Sequence, residues 1–115
     1  MPQYLMSVMH DDEYVLDFTT EDMQRIGPKV GAFNEQLQAK NQWVFGAGLM
    51  PASSIRVFRP DESPATDGPY AEVKEQMGGF WIVDVADEAT ARDLAQQASL
   101  ACERPIELRP MQPDE

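Results

Sequence analysis

The chain has 115 residues, enough for one domain with a hydrophobic core that needs no disulfide. Nine Lys and Arg against 20 Asp and Glu give a formal charge of −11, and no segment clusters basic residues, so we expect no direct contact with nucleic acid or an anionic membrane surface. Cys102 is the only cysteine, and neither a basic leader nor a run of about 18 apolar residues occurs. These features predict a cytoplasmic protein whose single domain spans residues 1–115.

The first predicted elements are a strand and a helix. An apolar run from Tyr4 to Met9 predicts the strand, which ends at His10 and three acidic residues. Apolar residues then recur at alternating steps of three and four, which predicts an amphipathic helix from Thr19 to about Lys40. Pro28 lies within this helix, and because proline lacks an N–H and its ring clashes with the preceding turn, we expect a kink or a break there.

Two strands and a long loop are predicted next. Trp43 to Phe45 begins one strand, which runs into two glycines, and residues 55–59 form the other. Three prolines and several turn-forming residues between Arg59 and Tyr70 predict a loop or hairpin end.

The second half of the chain completes the fold. Gly79 to Val85 is the clearest strand, Asp87 caps a helix from Glu88 to about Ala101, and alternating apolar residues from Ile106 predict the last strand. The order strand, helix, two strands, strand, helix, strand predicts an α+β ferredoxin-like sandwich, an antiparallel sheet with both helices on one face.

The strand from Gly79 to Val85 carries apolar residues on both faces. Phe80 and Ile82 alternate with Trp81 and Val83, so the two sets lie on opposite faces. Because two helices cover only one face, we expect a second copy of the sheet to cover the face that bears Trp81, in a homodimer. Trp81→Glu is then expected to shift that dimer toward monomer or aggregate.

The stretch Asp67-Gly68-Pro69-Tyr70, followed by AEVKEQMGGFWIV, resembles the signature of the YCII-related family, in particular its DGPF-domain branch. The resemblance extends through the first strand, residues 46–49 and the last strand, and so covers nearly the whole chain. Two departures are Tyr70 in place of the usual Phe, and Ala47 where many members carry a polar or charged residue.

This resemblance implies a dimeric α/β-barrel fold and little chemistry. Some relatives in the wider group use a His-Asp pair, and a few act as lyase-like dehydrochlorinases. Many DGPF members are encoded beside sigma factors of the extracytoplasmic-function type, which motivates a regulatory interpretation.

The predicted catalytic residues are His10, Asp11 and Asp67. His10 is the only histidine, so any imidazole base must be this residue, and Asp11 follows it directly. For His10 the alternative is a solvated strand end. Asp67, which precedes Gly68 and a proline, has the alternative role of fixing a turn, in which Gly68 adopts a positive φ.

The predicted ligand-binding residues are Lys74, Tyr70 and Arg56, with Arg59 and Arg109 as alternative cations for an anionic ligand. We expect no cofactor and no metal site, because the chain has no CxxC, no HxxxH and no second histidine. It also lacks a glycine-rich phosphate loop before a helix.

Two functions remain open. One is a small enzyme that carries out proton transfer or elimination on a small anionic molecule, with His10 as general base. The other is a non-catalytic ligand-binding or regulatory module. We expect the first strand and the strand from Gly79 to be parallel neighbours, which would place His10 at the end opposite Gly79 and require the loop with Asp67 or Lys74 to fold back toward it.

Overall fold

The computed structural model describes residues 1–11, 20–71 and 74–113. The elements in chain order are β1 (Gln3–Asp11), α1 (Thr20–Ala39), β2 (Trp43–Gly48), a 3₁₀ turn (Ala52–Ser54), β3 (Arg56–Val57), β4 (Thr66–Asp67), β5 (Glu75–Asp84), α2 (Glu88–Cys102) and β6 (Ile106–Pro110). Four strands form one sheet in the order β2-β5-β1-β6, and β3 pairs with β4 in a separate small sheet. The predicted ferredoxin-like α+β arrangement is confirmed.

All neighbouring strands of the large sheet are antiparallel, so the expectation that β1 and β5 run parallel is wrong. Gln3 pairs with Asp84 at one end of β1, and His10 pairs with Gln76 at the other. The reason is topological. The crossover through α1 makes β1 and β2 run in the same direction, and β2 is antiparallel to β5. β5 also begins at Glu75, earlier than predicted, which brings its start beside His10.

The hydrophobic core lies between the large sheet and the two helices. Alternate residues of β1 and β5 point into it, because successive side chains of a strand face opposite sides. The buried apolar residues are Tyr4, Met6, Phe33, Leu37, Trp81, Val83, Val85, Ala91, Leu94, Ala98 and Ala101. The inward stripes predicted for the helices are confirmed by Phe33, Leu37, Leu94 and Ala98 among these.

Trp81 joins β5 to α1. Its ring meets Phe33 edge to face at a centroid distance of 5.3 Å, and its Nε1 donates a hydrogen bond to Asn34 Oδ1 at 2.7 Å. Trp81 therefore lies on the face that the helices cover, and its predicted place in a dimer interface is wrong. The side chains that alternate with it along β5, Phe80 and Ile82, face away from the helices.

α1 continues through Pro28, so the predicted break is wrong. Pro28 itself is exposed, whereas Phe33 and Leu37 beyond it are buried in the core. Proline costs the helix one backbone hydrogen bond, and the packing of these two side chains against the sheet outweighs that loss. The predicted cap at Thr19 lies outside the described residues.

Both ends of α2 have defined caps. Asp87 accepts a hydrogen bond from the Thr90 N–H at 2.8 Å, which confirms the predicted cap and lowers the pKa of that carboxyl. At the other end Glu103 adopts a left-handed conformation with φ 59°. Its carboxylate accepts hydrogen bonds from Arg25 at 3.0 Å and Lys29 at 2.8 Å, and so connects the end of α2 to α1.

Hydrogen bonds from Arg25, then Lys29, lower the pKa of Glu103 from 4.5 to about 2. A depressed folded-state pKa stabilises the fold above the unfolded pKa, and this contribution is lost as the pH falls through the folded one. We expect Glu103→Gln to unfold at a lower urea concentration than the wild type at pH 7. The difference should shrink between pH 4.5 and about 2. Urea titrations across this range check it, and an equal difference at both ends would contradict the assignment.

Candidate functional site

A cavity of about 440 Å³ lies between α1 and the large sheet. Its walls are mainly apolar and aromatic, and a few polar side chains converge on it, which is the usual composition of a small-molecule site. The lining residues include Val8, His10, Asp22, Ile26, Val30, Asn34, Trp43, Gly46, Gly78, Trp81, Cys102 and Arg104.

The His10 ring lies directly against the backbone of Gly78. The strand register shifts here, because Val8 pairs with Gly79 whereas Met9 pairs with Met77, and this leaves Gly78 in the irregularity. A Cβ placed on Gly78 would collide with His10 Cδ2 and lie 2.7 Å from His10 Nε2. The first glycine of the pair at 78 and 79 therefore provides the space in which the imidazole sits at the cavity wall.

The aromatic floor of the cavity depends on a second glycine. A Cβ on Gly46 would lie 3.0 Å from Trp81 Cδ1 and 3.1 Å from the far edge of the Trp43 ring. Glycine here allows both indole rings to pack closely onto β2. At this position of β2, the absence of a side chain lets the two indole rings lie close to the strand backbone.

Arg104 reaches the cavity beside His10, and the sequence interpretation did not single it out. Met9 N donates to Pro105 O at 3.0 Å, which extends the β1–β6 register beyond Val8 and Ile106. One further step places Arg104 opposite His10. The sequence signal for Arg104 is its position between the end of α2 and the last strand. That position indicates a place beside His10 only once the β1–β6 pairing is known.

Cys102 also lines the cavity but is not activated. Burial raises the pKa of its thiol, which keeps the sulfur protonated at neutral pH. The thiol lies 3.9 Å from Arg104 O. Its role is that of a small half-buried side chain.

Three of the sequence-predicted site residues lie on or beside the small sheet. Arg56 Nε and Asp67 Oδ1 form an ion pair at 3.1 Å, and the Arg59 guanidinium lies 6.0 Å from the centre of the Tyr70 ring. Gly68 has φ 89°, as expected for the turn, and its N–H donates to Ile55 O at 2.8 Å. These contacts agree with a structural role for Asp67, the alternative that the sequence left open.

The predicted residues are thus divided. Asp67, Tyr70 and Arg56 are exposed, and none of them is among the described residues that line the cavity with His10. Lys74 is exposed immediately before β5, whose first residue pairs with Asp11. The side chain of Asp11 lies outside the described part of the chain. A single site that unites His10 with Asp67 and Lys74 stays a prediction.

A second hollow of about 430 Å³ lies between α2 and β6. Its charged lining residues, Arg92 and Glu88, pair with each other at 3.3 Å. No histidine lines it among the described residues, so the chemistry points to the cavity at His10 instead.

Within residues 1–11, 20–71 and 74–113, no three His, Cys, Asp or Glu side chains are grouped so that they could hold a metal ion. Neither helix in the described part of the chain is long and apolar enough to cross a bilayer.

We expect Gly78→Ala to lower the free energy of unfolding by about 1–3 kcal/mol, because the added methyl group forces the His10 ring out of its place. Gly48→Ala is the matched control: it lies on the same cavity wall, and a Cβ there meets nothing within 4 Å. Urea unfolding gives the stabilities, and the ¹H–¹³C NMR signal of the single histidine reports its ring. Equal effects of the two substitutions would refute the contact.

Comparison with known proteins identifies relatives over almost the full chain. The chain is 27% identical over 100 residues to an uncharacterized protein of Rhizobium meliloti (strain 1021), an alignment that covers 85% of this chain and 81% of that protein. The family model described as YCII-related domain matches residues 3–111. This span includes the sheet, both helices and the cavity, and the chain belongs to the YCII-related family.

Proposed function

We propose that the protein is a small enzyme that carries out proton transfer or elimination on a small anionic molecule, with His10 as the general base. The observation that carries this proposal is the placement of the single histidine of the chain at the wall of an apolar cavity, where its ring rests on Gly78. Imidazole is the side chain whose ordinary pKa suits proton transfer near neutral pH.

The surroundings of His10 suit such a step. Ile26, Val30 and Trp43 keep much of the cavity wall apolar, and a bound molecule would displace water from it. With water excluded, an imidazole nitrogen within about 3 Å of a C–H or O–H group can accept its proton. In an elimination, the leaving group then departs with its bonding electrons.

The remaining predicted residues take supporting roles in this proposal. Asp11 follows His10 directly and is the proposed carboxylate neighbour. Lys74 is proposed to attract the anion near the start of β5. For Asp67 we propose maintenance of the turn through its ion pair with Arg56, and for Tyr70 a contact with a ligand at the exposed edge of the small sheet.

We also propose a homodimer, with the face of the large sheet opposite the helices as its interface. Phe45 and Phe80 lie on this face with ring centroids 6.0 Å apart, and Leu5 and Ile82 pair beside them. Phe45 is 54% exposed. An apolar patch at the centre of a sheet face favours a second sheet as its cover.

The family resemblance supports three further assignments. The DGPY turn favours the DGPF-domain branch. The family match covers residues 3–111, which supports the proposal that residues 1–115 form a single domain. A single cysteine suits a reducing compartment, and we propose the cytoplasm.

The second candidate function is a non-catalytic ligand-binding or regulatory module, in line with the sigma factors encoded beside many relatives. It uses the same cavity without proton transfer. Binding without turnover distinguishes it from the enzyme.

We expect Phe45→Glu to convert the homodimer to monomer at micromolar concentration, because a charge buried between two sheets is costly. Phe58→Glu is the control, since Phe58 is 78% exposed and lies outside the large sheet. Sedimentation equilibrium measures both masses. A monomeric wild type, or a dimer that Phe45→Glu leaves intact, would argue against this interface.

We expect a compound from a small-metabolite collection to raise the Tm of the wild type, because a ligand that binds only the native state stabilises it. Val30→Trp, which fills the cavity, should abolish the shift, and Ala32→Trp on the exposed side of α1 should retain it. His10→Gln should keep the shift and lose turnover of that compound by about 100-fold or more. Full turnover without His10 would rule out His10 as the general base, and binding without any turnover by the wild type would favour the non-catalytic module. A shift that persists in a folded Val30→Trp variant would rule out the cavity.

A further inference from the structure

We propose that Arg104 binds the carboxylate of a small organic monoacid in the cavity beside His10. This inference rests on the proposed function for the use of the cavity, and it adds the residue that recognises the ligand and the chemical class of that ligand. It assigns direct contact with the carboxylate to Arg104, and the role proposed for Lys74 stays the attraction of the anion toward the start of β5.

The strand register places Arg104 and His10 together. Residues of β1 and β6 that face the helices pair as Met6 with Leu108 and Val8 with Ile106. The hydrogen bond from Met9 N to Pro105 O continues this pairing, so Arg104 stands opposite His10 on the same face. Residues directly opposite each other in an antiparallel pair have Cα atoms about 4.5–5.5 Å apart.

The charge of Arg104 is uncompensated within the described chain. Arg25 and Lys29 bond to Glu103, Arg56 pairs with Asp67, and Arg92 pairs with Glu88. Among the side chains that the structure describes, those of residues 1–10, 21–22, 24–71 and 74–113, no carboxylate forms an ion pair with the Arg104 guanidinium. A half-buried arginine of this kind in a chain of net charge −11 favours an external anion.

The geometry of the guanidinium and the neighbouring charges select the ligand class. A planar guanidinium matches a carboxylate with two parallel N–H···O bonds. Asp22 also lines the cavity, but its carboxylate is paired with Arg25 at 3.0 Å. Arg104 is the only Lys or Arg among the described residues that line the cavity, and its single positive charge matches one carboxylate rather than a dianion such as a phosphate monoester. The apolar side chains of Ile26 and Val30 suit the organic part of a monocarboxylate.

The position of the carboxylate also restricts the chemistry. A ligand held at Arg104 presents the carbons next to its carboxylate to the imidazole of His10, because the two residues are directly opposite. The proton that His10 removes is therefore expected to come from a carbon within a few bonds of the carboxylate.

The test compares benzoate with benzamide, which differ in charge and hardly in shape. The NMR signal of the single histidine is followed as each probe is added to the full-length protein. In the wild type, benzoate should bind about tenfold or more tightly than benzamide, as expected for a charge-assisted hydrogen-bonded pair. Arg104→Gln should remove this preference, and Arg104→Lys, which keeps the charge without the planar fork, should retain part of it.

Arg109→Gln is the matched control, since Arg109 lies in β6, five residues after Arg104, and pairs with Leu5 on the face away from the helices. It removes the same net charge and should leave the preference for benzoate unchanged. Equal binding of both probes to the wild type would overturn the inference and leave the proposed cavity function standing. Equal loss in Arg104→Gln and Arg109→Gln, or no response of His10 to either probe, would also overturn it. The cavity function fails separately, through the Val30→Trp comparison.

Discussion

The contact between Trp81 and α1 determines the rest of the site. A core tryptophan buries a large apolar area, and this one also has its Nε1 satisfied by Asn34 and its ring edge packed on Phe33. These contacts fix how far α1 stands above β5. The cavity occupies the space that this separation leaves toward the end of β1, where glycines replace larger side chains.

At two positions in the cavity wall, a glycine leaves room for an aromatic ring to lie against the strand backbone. Gly78 admits the imidazole of His10 to the strand backbone, and Gly46 does the same for the indoles of Trp43 and Trp81. Within residues 74–85, polar residues are followed by two glycines and then by an apolar run, and this change in composition has a local structural cause. The glycines lie where β5 meets His10 of β1, and Trp81, Val83 and Val85 after them belong to the core.

Much of the fold could be predicted from sequence because periodicity and caps are local signals, as the stripe through Phe33 and the Asp87 cap demonstrate. The face of β5 that the helices cover could not, since both alternations of that strand are apolar and only tertiary packing selects Trp81 over Phe80. His10 could be selected from the sequence as the candidate general base because it is the single histidine of the chain. Gly78 and Arg104 could not be identified as its neighbours, because the antiparallel register brings together residues that are far apart in sequence. The parallel arrangement expected for β1 and β5 gave a different set of neighbours.

A crystal structure of the protein soaked with 4-bromobenzoate tests the central claim, that the cavity between α1 and the sheet is the ligand site, most directly. The anomalous signal of bromine locates the probe without reference to any assumed pose. The account predicts bromine among the apolar residues under α1, with the carboxylate within about 3 Å of the Arg104 guanidinium and the ring beside His10. Bromine found only on the uncovered face at Phe45, or at the small sheet beside Arg56, would contradict it.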